Sequence, residues 1–438
     1  MRTSILRTLP ALALVLSPLA ATGCSNGSSG GGSSPPQDYG VVQSSLSRDM
    51  TPSVAPADLQ TLTTGNTAFA FDMYHAIAAG NETDNLFYSP YSVSIALAMT
   101  YAGAQSSTET QMAGALDFQL PQATLHPAFD SLDLQLASRA HGQAGDNGQP
   151  FKLNVIDSLW GDKTFTFQKP FLDTLATYYG AGLRTVDFVN APETARATIN
   201  GWVADQTDDL IPTLLPDQSI TSDTEFVIVN AIYFNAGWAT PFQASQTQPG
   251  TFTHLDASTA SVPMMNGGLS GNYAKGTGWQ AVELPYAGGQ TSMVVVLPDA
   301  GQFTTVETAL DGAFVGTLFS SLKDAQIAMT LPKFSVKGST ISLKTELGKL
   351  GMTDAFNPVT ADFAGITAQK VWIGDVLHQA FVSVDENGTQ AAAATAVIGV
   401  GTAASTNVVT VDVNRPFFVL IRDIPTSSVL FAGRIVAP

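Results

Sequence analysis

Serine, histidine and aspartate all occur in this chain, so the first chemistry to consider is a hydroxyl nucleophile activated by an imidazole. The five histidines, His75, His126, His141, His254 and His378, are scattered, and no serine stands in a Gly-x-Ser-x-Gly turn that would present a nucleophile. Neither a His-Glu-x-x-His helix nor a glycine-rich phosphate loop occurs. The single cysteine, Cys24, cannot form an internal disulfide, and no histidine spacing matches a metal site, so neither metal nor cofactor is expected. The chain reads as something other than an enzyme. Its 19 Lys and Arg against 36 Asp and Glu give a formal net charge of -17, which repels phosphate backbones and excludes nucleic acid as a partner. With 45% hydrophobic residues and 13% charged ones, most of the 438 residues can bury a core.

Residues 1–23 carry Arg2 and Arg7, then an apolar run over 9–16, then small residues, the layout of a secretory signal too short to remain as a membrane span. Cys24 follows at once in Ala20-Ala21-Thr22-Gly23-Cys24-Ser25, which resembles the lipobox of bacterial lipoproteins. In that reading Cys24 is lipidated. The segment 24–58 is rich in Gly, Ser, Pro and Gln and is expected to be a flexible tether; about 30 such residues reach about 30 Å on average. The folded body is then 59–438. Location is expected outside the cytoplasm, on the bacterial envelope through a lipid anchor only, or secreted.

The elements of the body follow from periodicity. Apolar residues at helical spacing over 66–77 predict a helix, with Asn66 as its cap. The run 89–99 places Pro90 at a helix entry and apolar residues nearly all round, as a buried helix requires. Residues 199–207 read as an amphipathic helix lying on a sheet, with Trp202 as packing. The runs 226–234, 292–297 and 417–421 are β-branched and aromatic and predict strands. Helices early and strands late, without regular alternation, give an α+β fold.

Six blocks in order carry a family resemblance: Asn85-Leu86-Phe87-Tyr88-Ser89-Pro90-Tyr91-Ser92; Asn230-Ala231-Ile232-Tyr233-Phe234 through Trp238; Val282-Glu283-Leu284-Pro285-Tyr286; Leu331-Pro332-Lys333-Phe334; Leu350-Gly351-Met352; and Asn414-Arg415-Pro416-Phe417 with Phe431-Ala432-Gly433-Arg434. Together they resemble the serpins over essentially everything after the tether. The resemblance implies three β-sheets, about nine helices and an exposed reactive-centre loop near the C-terminus. It also implies an inhibitor of serine proteases that acts as a suicide substrate. The loop is cut, the acyl-enzyme is trapped in a covalent 1:1 complex, and the loop enters the central sheet. The partner is a target serine protease, and the inhibitor is expected to be a monomer. The alternative is a serpin that does not inhibit and acts as a surface binding protein.

Glu386-Asn387-Gly388-Thr389-Gln390-Ala391-Ala392-Ala393-Ala394-Thr395 resembles the family's hinge. A segment entering a closed sheet needs one register of small or apolar side chains. Thr389, Ala391, Ala393, Thr395 and Val397 meet that need, and the long polar Gln390 falls on the other register. Counting along the family's loop puts the reactive bond at Thr402–Ala403, within a window of Val400, Gly401, Ala404 and Ser405. No Arg, Lys or aromatic residue lies between Val397 and Asn414, which favours the shallow pockets of elastase-like or subtilisin-like proteases. Ser92, Asn230, Trp238 and His378 match family positions beneath the place where the sheet must open.

Overall fold

The fold is described from a computed structural model and covers residues 39–139, 151–207, 209–337, 340–389 and 408–438. Nine α-helices occur among these residues: α1 (Pro56–Ala78), α2 (Pro90–Tyr101), α3 (Ser106–Ala115), α4 (Gln122–Ser138), α5 (Lys169–Tyr179), α6 (Pro192–Gln206), α7 (Phe303–Ala309), α8 (Gly312–Ser321) and α9 (Lys344–Lys349). Six of them precede residue 207, as the early helices of the sequence foretold.

The central sheet runs in the order β1 (Gly40–Val42), β4 (Leu183–Val186), β3 (Lys152–Asp162), β5 (Phe226–Gly237), β14 (Gly388–Thr389), β13 (Ile373–Val384) and β11 (Phe334–Lys337), with β12 (Ile341–Ser342) also on β13. A second group runs β8 (Trp279–Pro285), β9 (Thr291–Pro298), β16 (Phe417–Asp423), β17 (Val429–Ile435) and β2 (Leu86–Tyr88). A third contains β6 (Gln248–Thr253), β7 (Thr259–Gly276), β10 (Lys323–Pro332) and β15 (Val408–Asp412). The 18-residue β7 joins these last two, pairing with β10 over 264–273 and with β8 over 272–276. Among the described residues the strands thus form two hydrogen-bonded sheets, because β7 joins into one what the resemblance implies as two.

β5 explains why its sequence reads as an unbroken apolar run: both faces are covered. Val227, Val229 and Ala231 pack with Ile199, Trp202 and Val203 of α6, while Ile228, Ile232 and Phe234 face the main core. Trp202 meets Trp160 edge-on at 5.8 Å, the packing role expected of it. On the opposite face lies α2, all of whose residues are buried. Pro90 starts it, and the Ser89 hydroxyl accepts the Ser92 N–H at 3.2 Å, closing a free donor of the first turn.

Two local expectations are corrected. The first helix starts at Pro56, ten residues before Asn66, and Asn66 lies inside it with its amide oxygen accepting from the Ser94 hydroxyl at 2.8 Å. Proline at the first turn sets the start. Residues 39–55, tether-like in composition, run along the body: β1 pairs antiparallel with β4, and the Asp49 N–H donates to Thr177 at 2.8 Å. Arg48 bridges Asp130 and Asp133 of α4, each at 2.7 Å.

Candidate functional site

The central sheet has a seam where β5 and β13 lie side by side. They pair in parallel from Ile373↔Phe226 to Ala380↔Ile232. Beyond that point the two strands part and β14 fills the gap, with Gly388↔Gly237 and Thr389↔Ala236 on one side and Thr389↔Val384 on the other. One strand pair is therefore closed over most of its length and opened at its end by the chain's own hinge.

The opened end is built from side chains of five segments. The Trp238 indole N–H donates to the Asp385 carbonyl at 3.0 Å, and its backbone N–H to Asn387 at 2.9 Å. Its ring stacks on Tyr286, with centroids 4.8 Å apart and planes 5° from parallel. The Tyr286 hydroxyl shares a 2.6 Å hydrogen bond with the Thr389 hydroxyl, which is fully buried. Gly388 approaches β5 so closely that a Cβ there would lie 2.1 Å from the Ala236 carbonyl oxygen, which explains why glycine occupies it. Glu386 takes hydrogen bonds from Lys333 at 2.8 Å and from Thr247 at 2.7 Å. Burial alone would raise its carboxyl, but these donors hold it below the usual range.

The closed part carries one polar row. Asp157, Asn230 and His378 are direct cross-strand neighbours on β3, β5 and β13. His378 Nδ1 meets the Asn230 amide oxygen at 2.5 Å, and the Ser92 hydroxyl donates to the same oxygen at 2.8 Å. Asn230 Nδ2 donates to Asp157. The Ser89 backbone N–H donates to His378 Nε2 at 3.1 Å, so Nε2 must be the bare nitrogen and Nδ1 carries the proton. Burial holds His378 neutral, its pKa lowered to about 3.

Serine, histidine and aspartate do meet here, but not as a catalytic set. The Ser89 hydroxyl donates to Leu430 at 2.6 Å, the Ser92 hydroxyl to Asn230, and both imidazole nitrogens are engaged elsewhere. Within this row, neither the Ser89 nor the Ser92 hydroxyl is directed at the His378 imidazole.

Of the residues singled out in the sequence, Ser92, Asn230 and His378 converge on the row, whereas Trp238 sits at the opened end with Glu386, Gly388 and Thr389. Gln390, Ala391, Ala392, Ala393, Ala394 and Thr395 of the hinge, the bond Thr402–Ala403 with Val400, Gly401, Ala404 and Ser405, and Cys24 lie outside the described residues. Ser89, Tyr286 and Lys333 were present in the resemblance blocks without a role. Asp157 had only one signal, an acid among the apolar residues of 155–159.

A parted central sheet over a buried helix, entered by a segment from near the C-terminus, defines the serpin class of fold. A family model described as Serpin (serine protease inhibitor) matches residues 64–438, and the chain belongs to the serpin family. Leukocyte elastase inhibitor A of Rattus norvegicus is 34% identical over 393 residues, spanning 87% of this chain and 100% of that protein. Antithrombin-III of Mus musculus is 33% identical over 387 residues, spanning 86% and 82%. The solved structure of the thermophilic serpin tengpin in its native state matches with a TM-score of 0.79 at 27% identity, covering 90% of this chain and 98% of that one. The family is described as one of serine protease inhibitors, and the rat relative is named for inhibiting leukocyte elastase.

Proposed function

We propose that this chain inhibits serine proteases as a suicide substrate, with the loop after Thr389 as bait and the seam between β5 and β13 as the slot that receives it. The observation that carries the reading is the register of β14. Continued antiparallel beyond Thr389↔Ala236 and Thr389↔Val384, this register would bring Ala391 beside Phe234 and Val382, Ala393 beside Ile232 and Ala380, and Thr395 between Asn230 and His378 on insertion. The apolar neighbours on both flanks are buried, and the loop offers them only methyl side chains. Beyond Thr389, the polar residue of that register, Thr395, would meet the polar row. Its hydroxyl can donate to Asn230 or accept from His378, replacing the bond that insertion breaks.

The energetics favour a one-way step. About 12 to 15 added residues, each contributing roughly 0.5–1.5 kcal/mol net through ladder hydrogen bonds, release on the order of 10 kcal/mol. About 15 residues at roughly 3.3 Å each carry an attached protease about 50 Å. The reactive bond is placed at Thr402–Ala403 and the target class at elastase-like or subtilisin-like enzymes, supported by the small and aliphatic residues of 397–413. The far end of the loop is held separately, since β15 pairs in parallel with β10. Cys24 is proposed as a lipid anchor outside the cytoplasm.

Incubation of the purified body with pancreatic elastase and with subtilisin tests this. An SDS-stable adduct at the summed mass, and a released peptide starting at Ala403, are expected. Cleavage of the loop without any adduct would establish the binding-protein alternative instead.

A further inference from the structure

Asn230 is the hub of the closed seam, and an amide has two unlike ends. Its oxygen must face His378 and Ser92, because both present donors: the His378 proton is fixed on Nδ1 by the Ser89 N–H, and the Ser92 hydroxyl points at the same oxygen. Its NH2 group must then face Asp157. A carboxylate only accepts, so it admits one orientation of the amide; a neutral carboxyl or an amide at that position can donate as well and tolerates either. A negative acceptor on Nδ2 also polarises the amide and strengthens the bonds received by its oxygen. We infer that Asp157, as a carboxylate, is a positioning residue: it orients Asn230 and so tightens the Asn230–His378 bond that holds β5 against β13. This rests on the reading above that the loop enters between these strands.

The surroundings of Asp157 fit a titrating group. α4 presents Asp133, and α2 presents Tyr91, whose hydroxyl donates to Asp133 at 3.2 Å. Arg48 reaches Asp133 from the N-terminal segment at 2.7 Å, β13 contributes the neutral His378, and β5 contributes Asn230. Burial raises the Asp157 carboxyl well above its ordinary value, the Asn230 bond opposes that shift, and the charge of Asp133 adds to it. The two consequences of ionisation have opposite signs. Because the folded-state value is raised, ionisation as the pH rises removes stability against unfolding. The same ionisation tightens the seam. A residue that merely supports the fold would move both measurements together.

The test is Asp157→Asn, which keeps the shape and removes the charge. Conversion of the intact protein into the loop-inserted form, followed by its gain in heat resistance, is expected to run about five-fold faster in D157N than in wild type at about pH 8, a difference equivalent to one hydrogen bond. The gap is expected to close as the pH falls and wild type becomes protonated, while D157N resists denaturant better than wild type at the higher pH. The His378 Nδ1 proton, followed by NMR, is expected far downfield in wild type and shifted upfield in D157N. Equal conversion rates at about pH 8, a gap that persists on acidification, or an unmoved His378 proton would overturn the role given to Asp157. If clipped protein gains no heat resistance, the insertion reading falls instead, and the His378 proton still decides whether Asp157 orients Asn230.

Discussion

The two ends of the β5–β13 seam solve opposite problems with the same strands. At the closed part, polar side chains reach across: Asp157, Asn230 and His378 form a row supported from below by Ser89 and Ser92. At the opened end the strands are bridged by the hinge itself, wedged by Gly388 and Thr389 and held by Trp238, Tyr286 and Lys333. The closed part adds side-chain bonds, which in the proposed insertion an entering hydroxyl would replace, to the parallel backbone ladder of β5 and β13, whereas at the opened end both strands pair with β14, which an entering strand would extend. In the proposed function, β14 is the start of the rearrangement and the polar row is a latch beyond it.

The most severe break of this comparison is Thr389→Arg. Thr389 is fully buried against Tyr286, and an arginine there would have to bury an unpaired charge between two strands. Loss of the covalent adduct with elastase by tenfold or more, with the loop still cut at the normal rate, is the expected result on gels; undiminished adduct would mean that the hinge does not enter by this register. Next comes His378→Ala, which strips the closed part and leaves the Ser89 N–H without its acceptor. A loss of about 1–3 kcal/mol in chemical unfolding is expected. The pH profile adds a sign. Because His378 is held down to about 3 from 6.5, the stability that comes from keeping it neutral is full above 6.5 and is lost as the pH falls toward about 3. The difference between wild type and H378A should shrink over that window, and a constant difference would show that His378 is not kept neutral. The smallest effect belongs to Lys333→Ala at the opened end. Its bridge to Glu386 is about a third exposed on the lysine side, so less than about 1 kcal/mol is expected, screened by added salt. Since Glu386 is held below its ordinary range, that share is present above the ordinary glutamate value and disappears as the pH falls through the depressed one. Salt-insensitive destabilisation of several kcal/mol would place Lys333 among the residues that hold the sheet together.

How far the sequence reaches differs along the chain for physical reasons. β5, β9 and β16 were legible because strands covered on both faces are apolar throughout, and α2 because a fully buried helix has no polar stripe to hide it. The start of α1 was not, since its first turns are rich in threonine and leave a weak apolar period before Asn66. Ser92, Asn230 and His378 match family positions, but their convergence depends on strands some 150 residues apart and has no local signature. Asp157 escaped because an acid in an alternating strand is ordinarily taken as facing water. The segment 39–55 escaped because its attachment consists of backbone pairing and of Arg48 meeting two distant aspartates.

That last attachment has a bearing on how molecules of this protein behave toward one another. A long bare margin on a sheet invites a foreign chain to dock and propagate into aggregates. Here β1 covers the margin of β4 with three residues, the first of which would collide with the Thr185 hydroxyl if it bore a side chain. Crowded copies thus find little to dock on at that flank, where the sheet ends in a strand of only three residues.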